Sequence, residues 1–331
     1  MKVGFVFSGY GTQWIGMGKD LYDHYRSVQE LFEEAANCLD INFVKLAFAS
    51  SDAELKKVEN AYLVLLVVMV ATTRVLKEYG ITPVMVAGDD VGEYAAVVTN
   101  GALSVPDALY LIKKFTALYQ AFLDEHAVAA LRIKGMEKDL VHQLCTEATR
   151  NQESAAIAIE FSKKDFVVTG TQKAIDYVAV SAKNFSYVTL KEMSVGGGLH
   201  SSLLGEILKT MRPYLEKVDF KDTETPFVTG VIGQPLITGE MIRAALMQHI
   251  CAPTQWHAVQ QIFKECDVIL EVGHGNDLQK MFADSYPRKK IMSVGSLKDI
   301  KQVVLFLTGI TIPDADPDEA ADNDLKGLHN D

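Results

Sequence analysis

Closely spaced cysteines are missing from this sequence. The four present, Cys38, Cys145, Cys251 and Cys266, are scattered without a C-x-x-C pair, which argues against a zinc site and against a disulfide framework. They read as reduced, semi-buried thiols. A membrane-spanning run is missing as well: the most apolar stretch, "AYLVLLVVMVA" at 61–71, falls short of the roughly 18 apolar residues a span requires. With "TTRVLKEYG" behind it at helical spacing, it predicts a buried core helix ending at Gly80. Positive charge is in deficit, 32 Lys and Arg against 43 Asp and Glu, for a net charge of −11. A phosphate backbone would be repelled, so no nucleic-acid partner is expected. Part of the negative charge lies in "PDADPDEAADNDLKGLHND", and 312–331 are expected to form an acidic, disordered tail. The opening "MKVGFVFSG" lacks the charged region, apolar region and cleavage site of a secretory signal, so a cytoplasmic location is expected. The direct start and the polar tail favour a discrete protein or a terminal domain.

What is present is a series of short β-rich runs, each leading through a glycine turn into a helix. "KVGFVF" passes through "SGYGTQW" to a helical stretch, "VMVAG" is followed by "EYAAVVTNGAL", and "DVILEVGHGNDLQKMF" repeats the theme before a last strand, "KIMSVG". Such units predict an α/β fold with a mostly parallel sheet covered by helices. From about 127 the order changes to strand, helix, strand, strand, helix, strand, which is the ferredoxin-like order. The expectation is a large α/β body at 1–126 and 193–311 and a small inserted subdomain at 127–192, with a cleft between them.

The segment "VAGDDVGEYAAVV" has the layout of a nucleophile elbow: strand, G-x-x-x-G turn, helix. Gly88 and Gly92 are its glycines and Asp90 its central residue. The amide of Val91 at the helix start, with a second amide from the loop "SGYGTQ", would face a developing oxyanion. Two histidines, His200 in "SVGGGLHSSLL" and His274 in "EVGHGND", are delivered by glycine turns and are candidates for a base. His24, His126, His142, His249, His257 and His329 read as surface residues. The adjacent carboxylates of Asp89 and Asp90 lack a well-placed third ligand, so no metal site is assigned.

"FVFSGYGTQWIGMGKDLY" resembles the N-terminal signature of the malonyl-CoA:acyl carrier protein transacylase family of fatty acid and polyketide synthesis. "VAGDDVGEYAAVVTNGALSV" is similar to its G-H-S-x-G-E-Y-A-A segment, "GLHSSLL" to its histidine segment, "CAPTQWHAV" and "ILEVGHGNDL" to two later motifs, all in order from residue 3 to about 295. The resemblance implies a hydrolase-like α/β domain with a ferredoxin-like insert. It also implies ping-pong transfer from a coenzyme A thioester through an elbow serine to the phosphopantetheine thiol of a carrier protein, with no further cofactor. Carried over position by position, the histidine is His200, and the oxyanion amides belong to Tyr10 and Val91. Asp90 stands at the serine position and Asp89 at that of the preceding histidine. Phe115 stands where an arginine clamps malonyl, with Lys113 and Lys114 nearby on other helix faces. Tyr10 replaces a glutamine, Phe161 an asparagine, and Gly9, Gly11 and His274 complete the expected pocket.

An aspartyl attack on a thioester yields a mixed anhydride, which water opens, so ordinary transacylation is expected to be lost. Three readings follow: a non-catalytic homologue that docks an acyl carrier protein or synthase domain; an altered enzyme, such as a thioester hydrolase using Asp90 and His200; or a transferase using Ser201 or Thr12.

Overall fold

The computed structural model describes residues 1–149, 153–193 and 196–313. Its strands are β1 (Val3–Phe7), β2 (Met85–Gly88), β3 (Val128–Lys134), β4 (Ala155–Ser162), β5 (Asp165–Thr171), β6 (Thr189–Met193), β7 (Phe227–Thr229), β8 (Gln234–Leu236), β9 (Thr254–Gln255), β10 (Val268–Val272) and β11 (Lys290–Val294). They form two sheets. The larger runs β11-β10-β1-β2-β7-β8, parallel throughout except for β8. Every residue of β1 and β10 is buried, which explains why both read as apolar runs rather than alternating ones, broken in β10 only by Glu271.

The helix Val58–Glu78 is long and apolar enough to cross a membrane by length and composition, but it lies against the chain's own core with 61–71 entirely buried. It stops as expected at Gly80, whose φ of 71° suits a residue without a Cβ. Residues 314–331 lie outside the described region, and with them most of the expected acidic tail.

Between β3 and β6 the order of elements is the expected β-α-β-β-α-β, with the helices Lys138–Ala148 and Gln172–Ala182 packed together on one face. The strands pair antiparallel in the order β6-β3-β5-β4, and β9 joins alongside β4 in parallel. That fifth strand comes from far along the chain. Semi-burial fits only Cys251 among the cysteines: Cys38 is exposed, and Cys145 and Cys266 are buried.

Candidate active site

β1, β2 and β10 end side by side, and the loops leaving their carboxyl ends floor a cleft whose opposite wall comes from β3, β4 and β5. In open parallel sheets this edge is where ligands bind. In the turn after β2, Asp90 holds φ 50° and ψ −114°, a conformation that a non-glycine residue keeps only when its surroundings enforce it. Space explains the two glycines. A Cβ on Gly88 would stand 2.0 Å from the main chain of Gly92, and one on Gly92 would stand 2.5 Å from the Phe7 carbonyl oxygen. The helix Val91–Thr99 begins at once, with the Gly92 and Glu93 amides donating to the carbonyls of Asp89 and Asp90 at 2.7 and 3.0 Å. Asp90 therefore stands at the tip of an elbow.

The two aspartates serve different partners. Asp89 Oδ1 accepts from Trp256 Nε1 at 3.0 Å, while its Oδ2 packs beside Gly9. Both side chains keep some surface on the cleft but are otherwise enclosed by protein. Burial pushes Asp89 up to about 6 against the pull of Trp256. It also raises Asp90, and there His200, the Tyr62 phenol and the main-chain N–H groups of Val91 and Tyr10 act in the opposite direction. The amides expected to face an oxyanion thus face the Asp90 carboxylate itself. Asp90 Oδ2 and the Tyr62 hydroxyl are both buried without a hydrogen-bond partner of good geometry.

His200 is buried and, like Asp90, has a positive φ, 54°. Its loop is pinned at both ends of a short glycine run: the Tyr119 hydroxyl donates to the Gly197 carbonyl at 2.7 Å, and the Gly198 amide donates to Thr169 Oγ1 at 2.6 Å. His200 Nδ1 lies 2.8 Å from the His249 carbonyl oxygen. A carbonyl can only accept, so Nδ1 carries a proton, and in the neutral ring the lone pair lies on Nε2.

His249 is the main correction to the sequence reading. Expected on the surface, it is buried with its ring 4.3 Å from that of His200, its Nε2 3.1 Å from Thr254 Oγ1 and its Nδ1 3.0 Å from Glu93 Oε2. The last contact is out of line for a full hydrogen bond. Burial pushes His249 well down and Glu93 well up, which favours a neutral pair over an ion pair. His24, His126, His142 and His257 are exposed, as expected.

Other placements differ from expectation. Gly9, Tyr10 and Phe161 line the cleft, but Gly11 is exposed and shapes the turn with φ 103°. His274 lies outside the cleft, edge-on to Trp14 at 5.2 Å. Phe115 faces a smaller space behind Asp90 and belongs to an aromatic series in which Tyr10 and Tyr62 are 5.1 Å apart, Tyr62 and Phe115 6.0 Å, and Phe115 and Tyr119 5.8 Å. Lys113 reaches the Leu39 carbonyl, and Lys114 covers the rings of Tyr110 and Tyr214, so neither enters the site. Ser201 Oγ donates to the Gly198 carbonyl at 2.7 Å, and Thr12 Oγ1 to that of Gly9 at 2.9 Å. Both hydroxyls are committed to shaping their own turns.

Arg132 and Glu271 are among the cleft residues that escaped the sequence reading. Arg132, on β3, stacks 4.3 Å over the Phe161 ring and is held by Asp165 through two 2.9 Å bonds. Glu271, at the end of β10, accepts from Ser8 Oγ at 3.1 Å and from the Gln279 amide at 2.7 Å, and burial pushes it up to about 7. Only alternation along β3 and the glutamate inside an otherwise apolar strand hinted at them.

A family model described as acyl transferase domain matches residues 4–312. The chain belongs to this family. As an acyl transferase domain it is 28% identical over 308 residues to a malonyl CoA-acyl carrier protein transacylase of Bacillus subtilis strain 168, covering 92% of this chain and 97% of that protein. A Staphylococcus aureus MRSA252 protein of the same name is 25% identical over 302 residues, covering 91% and 97%. Among solved structures, FabD from Acinetobacter baumannii matches with a TM-score of 0.86 at 25% identity, covering 92% and 97%. A malonyl-transacylase in complex with a type II PKS acyl-carrier protein matches at 0.87 and 24%, covering 92% and 99%; at that identity it speaks for the fold.

Proposed function

We propose that this chain is an acyltransferase-family protein of fatty acid or polyketide synthesis that docks a carrier protein or synthase partner without taking an acyl group onto itself. The observation that carries this reading is the Asp90 carboxylate at the elbow tip, facing the very amides, Tyr10 and Val91, that an acyl oxyanion would need. Asp90 stands where the family resemblance puts the serine. A carboxylate there repels a malonyl group, and Phe115 offers no clamp. Arg132, the cation of the cleft, is already bound by Asp165. The space behind Asp90 is about 20 Å³, enough for a water molecule and too small for an acyl chain.

The relatives named as malonyl CoA-acyl carrier protein transacylases, and the carrier complex among the structural matches, support a carrier protein as the partner and a thioester as the ligand. The two sheet orders support a hydrolase-like body at 1–126 and 193–311 with a ferredoxin-like insert at 127–192. The test is incubation with acyl-CoA and acyl-carrier thioesters, followed by intact-protein mass spectrometry. No mass gain is expected, together with measurable carrier binding; covalent acylation would overturn the reading.

A second reading, thioester hydrolysis by Asp90 and His200, is favoured by one observation. His200 keeps Nε2 free, because the His249 carbonyl holds Nδ1–H. Thiol release without acylation, abolished by His200→Ala, would select it.

A further inference from the structure

Asp90 and His200 together line two spaces. One is the cleft, about 110 Å³; the other is the smaller chamber of about 20 Å³ behind them, walled by Tyr62, Tyr94, Phe115 and Leu246. The walls are mostly aromatic and aliphatic, yet two lining residues bring in polar atoms, the Tyr62 hydroxyl and Asp90 Oδ2, which approach each other without making a hydrogen bond of good geometry. Tyr62 is only 1% exposed, so bulk water does not satisfy it. Leaving such buried groups unpaired is costly. A space of about 10–15 Å³ already holds one water, provided polar partners are present. Here there is one donor and one acceptor.

We propose that this chamber binds a single water molecule, which accepts from the Tyr62 hydroxyl, donates to Asp90 Oδ2 and is the nucleophile for hydrolysis of a thioester in the cleft. The proposal rests on the hydrolytic reading above. The water oxygen bonds to the thioester carbonyl carbon as Asp90 takes its proton. Neutralising Asp90 removes the charge that the Tyr10 and Val91 amides face and releases them for the new oxyanion. The oxyanion collapses, the C–S bond breaks, and the departing thiolate receives the proton from Asp90 through His200 Nε2. One carboxylic acid and one thiol leave, and both side chains return to their starting protonation. The acyl chain stays in the cleft throughout, since the chamber has room only for the water.

The test uses the full chain, butyryl-CoA and H₂¹⁸O in a single turnover, with rapid quenching and mass analysis of the protein, the Asp90 peptide and the released acid. Thiol release is expected with ¹⁸O in the acid alone and no acyl adduct at any time. Tyr62→Phe, checked for folding by its thermal melt, is expected to lower kcat roughly tenfold with KM nearly unchanged, and Asp90→Asn to lower kcat roughly 10²-fold. An acyl adduct or label in Asp90 means that the carboxylate itself attacks; this overturns the role given to the water while hydrolysis stands. An unchanged kcat in folded Tyr62→Phe overturns it too. No thiol release at all removes the hydrolytic reading and the proposal together.

Discussion

Asp90 concentrates the chemical question in one side chain. Replacing it with serine puts a hydroxyl under the Tyr10 and Val91 amides and near His200, which is the arrangement the family resemblance implies. Asp90→Ser is therefore expected to gain an acetyl or butyryl group from the corresponding CoA thioester, read by intact mass. Malonyl should transfer at least about tenfold more slowly, because a charge-assisted contact of ~1.5–3 kcal/mol has no donor at Phe115. No acylation from any donor would show that the site has lost more than its nucleophile. Glu271 carries a different prediction. Its folded pKa of about 7 lies above the ordinary glutamate value, so the folded state holds its proton more tightly than the unfolded chain. Its contribution is fully present below about pH 4.3 and is lost as pH rises to about 7, a change on the order of 3 kcal/mol. Glu271→Gln can still pair with Ser8 and the Gln279 amide, and its melting temperature should fall less over that pH range than that of the parent. Equal slopes in the two proteins would place the titration elsewhere.

Elements explain why some of this could be read in advance. The strand–turn–helix units were legible because period-two and period-3.6 patterns alternate cleanly around glycines, and the elbow was legible because its glycines are required by contact. Gly88→Ala would drive a Cβ to 2.0 Å from the Gly92 backbone, and it should cost at least about 3 kcal/mol, measured as a lowered urea midpoint. A loss well below that would mean the turn can open without breaking the helix start. β9 was not legible. It has two residues, and its partner Ile159 lies 95 positions before Thr254, so no local pattern marks it. His249 failed for a related reason: it ends the helix Gly239–His249, where a histidine suits a solvated last turn as well as a buried one. Only the packing of that helix end behind His200 turns it inward.

The whole molecule sets what the cleft will accept, since its walls belong to two sheets. Asp89, Asp90, Glu271 and Asp277 line it, and the one guanidinium among its described lining residues, Arg132, is already paired. Asp165→Asn replaces the two close carboxylate bonds of Arg132 with a neutral partner and leaves Asp277, at 3.8 Å, as its remaining charged neighbour, and malonyl-CoA binding is expected to tighten several-fold by calorimetry while acetyl-CoA binding stays level. Unchanged malonyl affinity would mean that the guanidinium does not reach the ligand. By itself the sequence determined the order of elements, the elbow with Asp90 at its tip, and His200 as the histidine beside it. Those features rest on residues close together in the chain, where periodicity and glycine sterics act locally. The tertiary structure alone decided that His249 and Glu93 stand behind His200, that Arg132 and Glu271 enter the cleft, and that Tyr62 and Asp90 share a water-sized chamber. Each of these depends on which distant surfaces meet and how much water they exclude, and burial, rather than residue type, then sets how every carboxyl and imidazole there holds its proton.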